Sequence, residues 1–486
     1  MRAGRVQDTD PYWQVRAGQE WLDGTPLARP DSWSWEPVEG LFYPNSPLWN
    51  AALAVAWGLA DSWGMFVLTA VTIGLYYLLA VHLARRLGAS WLGTAIAVIV
   101  VSLAALPMLS PRAGVPSQVL LLAGIAGAYW WSRRADRYPW IVSGLVVGLG
   151  GLGLSWLGNW VHLSWSTTAL GLAVAWAALW LLTPALGLAR RTALVLGGSA
   201  GLVAGIALGP YGWAVFDRAR AVVDACRGLI TEWVGAFHPE AIGQWALPTL
   251  AAIAVAGFAS LAAVRMLRAG GRPDPRLPLL AALLVIAAPA SLAGLVAVRF
   301  TGTALLTLLP VVAMLVTRAG RAIHRRALRR HGVDSRPAEY TSVRFWRIVL
   351  GAVLVAVSPF ALLYAAPHAT PESAGVTDLL PPGCRLFSPS NESAEILLLR
   401  PDVAVWFDGR ADYWGRDRIE EFYRYLLLPD DRQLTPPGTT CVVLPDPQSI
   451  PPVQGLADAL DASPDWERSA ENGAVILWLP TEAPSD

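Results

Sequence analysis

The chain contains no lysine; all 37 of its basic residues are arginine, a bias that by itself carries no functional meaning. Charge of either sign is scarce: 15% of the 486 residues are charged, against ~25% in a soluble globular protein. The formal net charge of +1 provides no basic field for a nucleic acid, so no nucleic-acid partner is expected. Cysteine occurs three times with no CxxC pair, which argues against a zinc ribbon or a thioredoxin-like centre. Residues 1–46 hold no apolar core of signal-peptide length. Ionisable side chains are also rare in the middle of the apolar runs, where a proton- or ion-coupled transporter would be expected to carry them.

What fills the chain instead is apolar length. Runs near 64–84, 90–109, 116–132, 139–158, 166–183, 192–209, 245–264, 277–297, 301–317 and 345–364 read as membrane spans, several near the lower limit for crossing ~30 Å of hydrocarbon. Leu48–Ala60 is apolar but shorter, and reads as an interfacial helix, a re-entrant piece or half of a hairpin. Arginines gather in alternate loops: Arg85 and Arg86, then Arg133, Arg134 and Arg137, then Arg190 and Arg191, then Arg265 to Arg276, then Arg318 to Arg344. The positive-inside rule makes these loops cytoplasmic and puts both chain ends outside. An external N-terminal segment needs a preceding helix to carry it across, and the expectation is that one lies upstream of Met1; the alternative is that Leu48–Ala60 spans.

The expected fold is therefore a polytopic α-helical membrane protein of about ten spans with a C-terminal extracytoplasmic α/β domain. The expected division is 1–47 as an acidic, Trp-rich external loop, 48–366 as the helical bundle and 367–486 as the soluble domain. In that last domain CRLFSP, VAVWFDGR, TTCVVLP and GAVILWLP read as strands alternating with helices, which suggests a mainly parallel sheet. Cys384 and Cys441 enter two of these strands; they either pair in an oxidising compartment or stay as free buried thiols. The stretch RARAVVDACRGLITEWVGAF repeats apolar residues at helical spacing and reads as an amphipathic helix, on the membrane surface or packed on the bundle.

Polar chemistry collects at one face of this layout. The opening segment supplies Asp8, Asp10 and Asp31; later external stretches supply Arg112, Asn159, His162, Tyr211, Glu232, His238 and Arg299; the C-terminal domain supplies Asp408, Arg410, Asp412 and Tyr413. Carboxylates and guanidiniums at a headgroup plane suit glycosyl transfer from a lipid phosphate. Arginine clamps the leaving phosphate, and a carboxylate serves as general base or metal ligand. Plainer roles exist for each. Asp10 before Pro11 caps a helix. Arg112 and Arg299 anchor helix ends. Asn159 and His162, one turn apart on one helical face, bond neighbouring helices. Asp408, Arg410 and Asp412 form an internal ion-pair cluster at a strand end, which is also where open α/β sheets place ligands.

The segment DTDPYWQVRAGQEWLDGTPLARPDSWSW resembles the first external loop of bacterial GT-C-type membrane glycosyltransferases, through Asp8, Asp10, Trp13, Gly18, Pro26, Asp31 and Ser34. It is also similar to the opening loop of oligosaccharyltransferase catalytic subunits and, more distantly, of protein mannosyltransferases. GNWVHLSW, GPYGW, TEW, VRFTGTALLTLLP and VWFDGRADYWG extend the resemblance to an uncharacterised bacterial group. It implies a GT-C-like bundle in the bacterial plasma membrane and a polyprenyl-phosphate-linked sugar donor. It also implies membrane lipid around the bundle, and a glycan, lipid or protein acceptor. Asp10 becomes the leading catalytic candidate with Asp8 beside it, and Arg112, Asn159, His162, Arg299, Asp408, Arg410 and Asp412 become substrate-binding candidates. No cofactor is certain; a divalent metal is an option, its ligands unknown. Gln14, Leu163 and Gly209 depart from the group's pattern, and the turn at Arg112 lacks the second acidic motif of oligosaccharyltransferases. These departures keep a second reading open, a catalytically inactive relative that binds lipid-linked glycan or scaffolds envelope assembly.

Overall fold

The computed structural model describes residues 10–268, 274–330, 374–427, 433–446, 451–472 and 474–481. Asp8 and the expected span at 345–364 lie outside the described residues. The chain divides into two compact units: one built on Thr69–Phe216 and Ile230–Ala366, the other on Gly4–Leu68, Asp217–Leu229 and Pro367–Asp486.

The first unit is helical. Its elements are the later part of α2 (Pro47–Arg86), α3 (Trp91–Ala104), α4 (Gly114–Ser132), α5 (Trp140–Val161), α6 (Trp165–Leu181), α7 (Leu188–Ala207), α9 (Ile242–Arg268), α10 (Leu277–Ala293) and α11 (Arg299–Arg330). Helices thus occupy the other nine expected stretches. Among the described residues four helices are long and apolar enough to cross a membrane: Pro47–Arg86, Trp140–Val161, Ile242–Arg268 and Arg299–Arg326. α3, α6 and α10 are apolar but shorter. α3 stops at Ala104 because Pro107 follows within a 3-10 turn, Leu106–Met108. Large side chains such as Leu103, Leu149, Leu247 and Phe258 stay exposed on the outside, 67 to 76%. Apolar surface of that extent is a cost in water and none against hydrocarbon. Inside, one core joins Tyr76, Leu121, Trp165, Trp180, Leu283 and Leu309. α5 and α7 meet through glycines, Gly144 and Gly148 facing Gly197 and Gly201, which brings their backbones close enough to exclude a Cβ.

The second unit opens with α1 (Asp10–Leu22) and the first part of α2. α2 is bent at Ala60 and Asp61, where Asp61 takes φ 46°. The bend turns Gly64 onto the carbonyl of Ala56, leaving no space for a side chain there. In a straight helix those residues would stand ~12 Å apart. Of the three readings of Leu48–Ala60, the folded-back arm of a hairpin fits this geometry. α8 (Ala214–Cys226) begins earlier and ends sooner than the amphipathic pattern suggested. Gly228 at φ 79° breaks the helical path before Leu229–Val234.

The C-terminal part holds a five-stranded sheet in the order β2-β1-β3-β5-β4, with β1 Arg385–Phe387, β2 Ala404–Val405, β3 Cys441–Pro445, β4 Trp466–Glu471 and β5 Val475–Pro480. β1 pairs in parallel with both β2 and β3, while β5 pairs antiparallel with β3 and β4. The sheet is mixed where a mainly parallel one was expected, because β4 closes a hairpin. Its sequence WERSAE has no buried face and gives no apolar alternation to read. Cys384 and Cys441 are paired, with Cα atoms 6.1 Å apart. Beyond β2 the opening segment adds itself to the sheet edge: Val405 donates its N–H to the Trp33 carbonyl at 2.9 Å, and Trp35 donates to the Val405 carbonyl at 3.3 Å.

Candidate functional site

Each unit carries its own cluster of the residues that the sequence singled out. In the second unit the cluster is built at the end of β2. There Asp408 accepts the Arg410 backbone N–H at 2.8 Å, and this turn leads into the helix Ala411–Leu427. Its carboxylate also accepts from Arg410 Nε at 2.9 Å and from Trp414 Nε1 at 3.1 Å. The Arg410 guanidinium reaches on to Asp31 of the opening segment, with Nη1 to Oδ1 at 2.6 Å. Trp33, Phe42 and Tyr413 cover it, its guanidinium carbon lying 4.3, 4.8 and 4.9 Å from their ring centres. Arg410 and Asp408 have no exposed side-chain surface, and Asp31 has 1%. Burial alone would lower the Arg410 pKa, but the Asp408 and Asp31 carboxylates outweigh it and raise it. The triad is sealed and its charges are paired with one another.

Asp10 lies against this turn at Gly409. Asp10 opens α1, and its Oδ1 accepts from Trp13 Nε1 at 3.1 Å. A Cβ at position 409 would come within 2.5 Å of that same oxygen, so the Asp-Gly-Arg turn requires glycine for the carboxylate to sit against it. Gly415, at φ 73°, kinks the next helix just after Trp414. Asp412, partly exposed, is pushed up to about 6 by desolvation, which Arg410 only partly offsets. Tyr413 is pushed up to about 12, by burial and then by Asp31. Glu20, which the sequence reading passed over, ties Arg16, Arg29 and Trp33 together at 3.2, 2.5 and 2.6 Å. Its helical spacing from Arg16 was the available signal.

In the first unit Arg112, Glu232, Arg299 and His162 converge. The strand-like stretch after Glu232 pairs with the α10–α11 connection: Val298 donates to the Val234 carbonyl at 2.9 Å, and Ala236 to the Gly294 carbonyl at 3.3 Å. Val234, Ala236, Trp245 and Val298 form a small core beneath, with Met108 packed against it. That pairing sets Glu232 and Trp233 beside Arg299 at the start of α11, whose guanidinium lies 4.2 Å from the Trp233 ring centre. Arg112, in the turn before α4, forms an ion pair with Glu232. Both keep about a third of their side-chain surface exposed, 31 and 34%. Burial would raise Glu232, but Arg112 and Arg299 hold its carboxyl below the ordinary carboxylate range.

His162 is the C-cap of α5, with extended backbone at φ −161° and ψ 134°. It has left the helix, so it does not share a helical face with Asn159 as its spacing suggested. Its Nδ1 accepts the Ser164 backbone N–H at 3.0 Å, so the proton of the neutral ring sits on Nε2 as a donor. Desolvation, then Arg299 and Arg112, push it down to about 3. Two guanidiniums, one carboxylate and a neutral imidazole leave the cluster with a formal charge of +1. Asn159 makes its side-chain hydrogen bond within its own helix. It lines a narrow crevice with Ile206, Gly209, Pro210, Tyr211 and Val215, and its Nδ2 donates to the Ser155 carbonyl at 2.7 Å. Among the described residues no group of three or more His, Cys, Asp or Glu side chains converges to hold a metal ion.

The fold and these clusters define a mostly helical protein with helices long and apolar enough to cross a membrane, a small C-terminal sheet and a partly exposed cluster of formal charge +1. Solved structures to which the chain is similar include archaeal oligosaccharyltransferases. AglB from Archaeoglobus fulgidus, solved in complex with an inhibitory peptide and a dolichol-phosphate, is similar at TM-score 0.40 and 12% identity over 93% of this chain and 67% of that one. The apo form of the Archaeoglobus fulgidus oligosaccharyltransferase is similar at TM-score 0.35 and 14% identity over 94% of this chain and 67% of that one. No family model and no curated protein matches the chain. These likenesses assign no residue roles here.

Proposed function

We propose that this protein is a membrane glycosyltransferase of GT-C type that transfers a sugar from a polyprenyl-phosphate carrier to an acceptor at the extracytoplasmic face. The observation that carries the reading is the Arg112–Glu232–Arg299 cluster with neutral His162: net positive, partly open, and equipped with donors for phosphate oxygens. Arg112 and Arg299 hold the phosphate, and His162 Nε2–H donates to it. The acceptor hydroxyl oxygen attacks the anomeric carbon, the bond from that carbon to the phosphate oxygen breaks, and the phosphate leaves with the electron pair. A general base takes the hydroxyl proton, the role for which the opening motif nominates Asp10. Disulfide pairing of Cys384 with Cys441 supports an oxidising location for the C-terminal domain. Incubation of the purified protein with a radiolabelled polyprenyl-phosphate sugar and membrane extract is the test. Transfer that is lost in Asp10→Asn and Arg299→Gln at normal expression supports the reading; full activity of Asp10→Asn removes Asp10 from it.

A second reading is favoured by one observation: two departures from the motif pattern, Gln14 and Leu163, are buried at 4 and 7% exposure and do not offer substrate a new contact in exchange. In that case the protein binds a lipid-linked glycan without turning it over. Crosslinking to a photoreactive polyprenyl-phosphate sugar with no product formed would establish it.

A further inference from the structure

The helical unit has an open groove of about 500 Å³ between α9 and α11, lined by Phe258, Leu261, Ala262, Arg265, Met266 and Arg318. Ordinary ligand clefts run from ~300 to 1,000 Å³. Phe258, Leu261, Ala262 and Arg265 follow one another at i, i+3, i+4 and i+7 on a single face of α9. Arg265 therefore lies ~10 Å further along the axis than Phe258. Phe258 and Leu261 are 67 and 56% exposed, so the apolar wall is uncovered. One end of the groove carries two guanidiniums, and none of the six lining residues is acidic.

We propose that this groove is a binding site for an anionic phospholipid, with the phosphate between Arg265 and Arg318 and an acyl chain lying along Phe258 and Leu261. An apolar trough ended by two cations is the complement of an amphiphile with an acidic head. A soluble anion would leave the wall bare, and a zwitterionic lipid would set its own cation against the arginines. Arg276 and Arg321 add to the positive field at Arg318, and Asp274 offsets part of it. Basic pockets between membrane helices select anionic headgroups in this way, and two arginines give a preference on the order of tenfold. The site is separate from Arg112, Glu232 and Arg299, and it stands whether or not the protein transfers sugar.

The test is spin-label lipid association with the full-length protein in phosphatidylcholine vesicles, comparing labelled phosphatidylglycerol with labelled phosphatidylcholine. Phosphatidylglycerol is expected to associate about tenfold more strongly. Arg265→Gln with Arg318→Gln is expected to abolish the preference, and Arg265→Lys with Arg318→Lys to retain most of it. At 1 M salt the wild-type preference should fall toward unity, because the Debye length is then ~3 Å. Equal association of the two lipids, a preference unchanged in the glutamine variant, or one that survives 1 M salt would overturn the site. Displacement of phosphatidylglycerol by an equimolar polyprenyl phosphate would also overturn it, assigning the groove to the carrier.

Discussion

Arg410 and Asp31 are 379 positions apart in the chain, and an ion pair of 2.6 Å joins them where neither side chain meets solvent. With Asp408 on its other side, the guanidinium ties the opening segment to the C-terminal domain beside the Trp33–Val405–Trp35 backbone pairing. Breaking a buried pair strands a charge and costs ~3–5 kcal/mol. Asp31→Ala or Arg410→Ala should therefore lower the thermal midpoint and expose residues 10–46 to protease. A hydrophobic replacement of all three residues should cost less than either single change. Protease resistance equal to wild type in Asp31→Ala would count against this role.

The Arg112–Glu232–Arg299 cluster predicts opposite effects from its two signs of charge. Arg299→Gln should weaken carrier-phosphate binding at least tenfold, since a hydrogen bond to a charged group is worth ~1.5–3 kcal/mol. Glu232→Gln removes the internal counter-charge and should tighten binding while slowing release. Carrier affinity and turnover measured together separate the two outcomes.

His162 sets a pH expectation. In the fold it titrates at about 3, against 6.5 for the free side chain. Above pH 6.5 it is neutral in both the folded and unfolded states. As pH falls from 6.5 toward 3 only the unfolded chain takes up the proton, so stability declines across that window. Activity between pH 5 and 8 should show no limb that His162→Gln removes.

Asp412 runs the other way. Its carboxyl titrates at about 6 in the fold, against 3.8. The folded state holds the extra proton between those values, so the stabilising contribution is complete below 3.8 and is lost as pH rises through 6. Asp412→Asn should stabilise the protein at pH 8 by ~1 kcal/mol, after screening at a partly exposed position. At pH 4 the gain should vanish. Thermal midpoints of both proteins at the two pH values check the sign.

The Cys384–Cys441 bridge spans 57 residues and constrains the unfolded C-terminal chain. Its removal by Cys384→Ser with Cys441→Ser should cost about 2–4 kcal/mol. A reductant should shift the wild-type midpoint and leave the double variant unmoved.

The sequence alone determined the helical stretches, because long apolar runs are a local property of composition and need no partner to be read. It also named polar candidates such as Asp10, Arg112, Arg299 and Asp408, through their place in the stretches between apolar runs and through short motifs. It did not reveal β4, whose exposed residues carry no alternation, nor the exit of His162 from α5. Only the tertiary structure decided that Asp408 and Arg410 are sealed against Asp31, that Gly409 makes room for the Asp10 carboxylate, and that Glu232 balances Arg112. The reason is physical: burial and ion pairing depend on side chains brought together across hundreds of positions, and spacing along the chain holds no record of that distance.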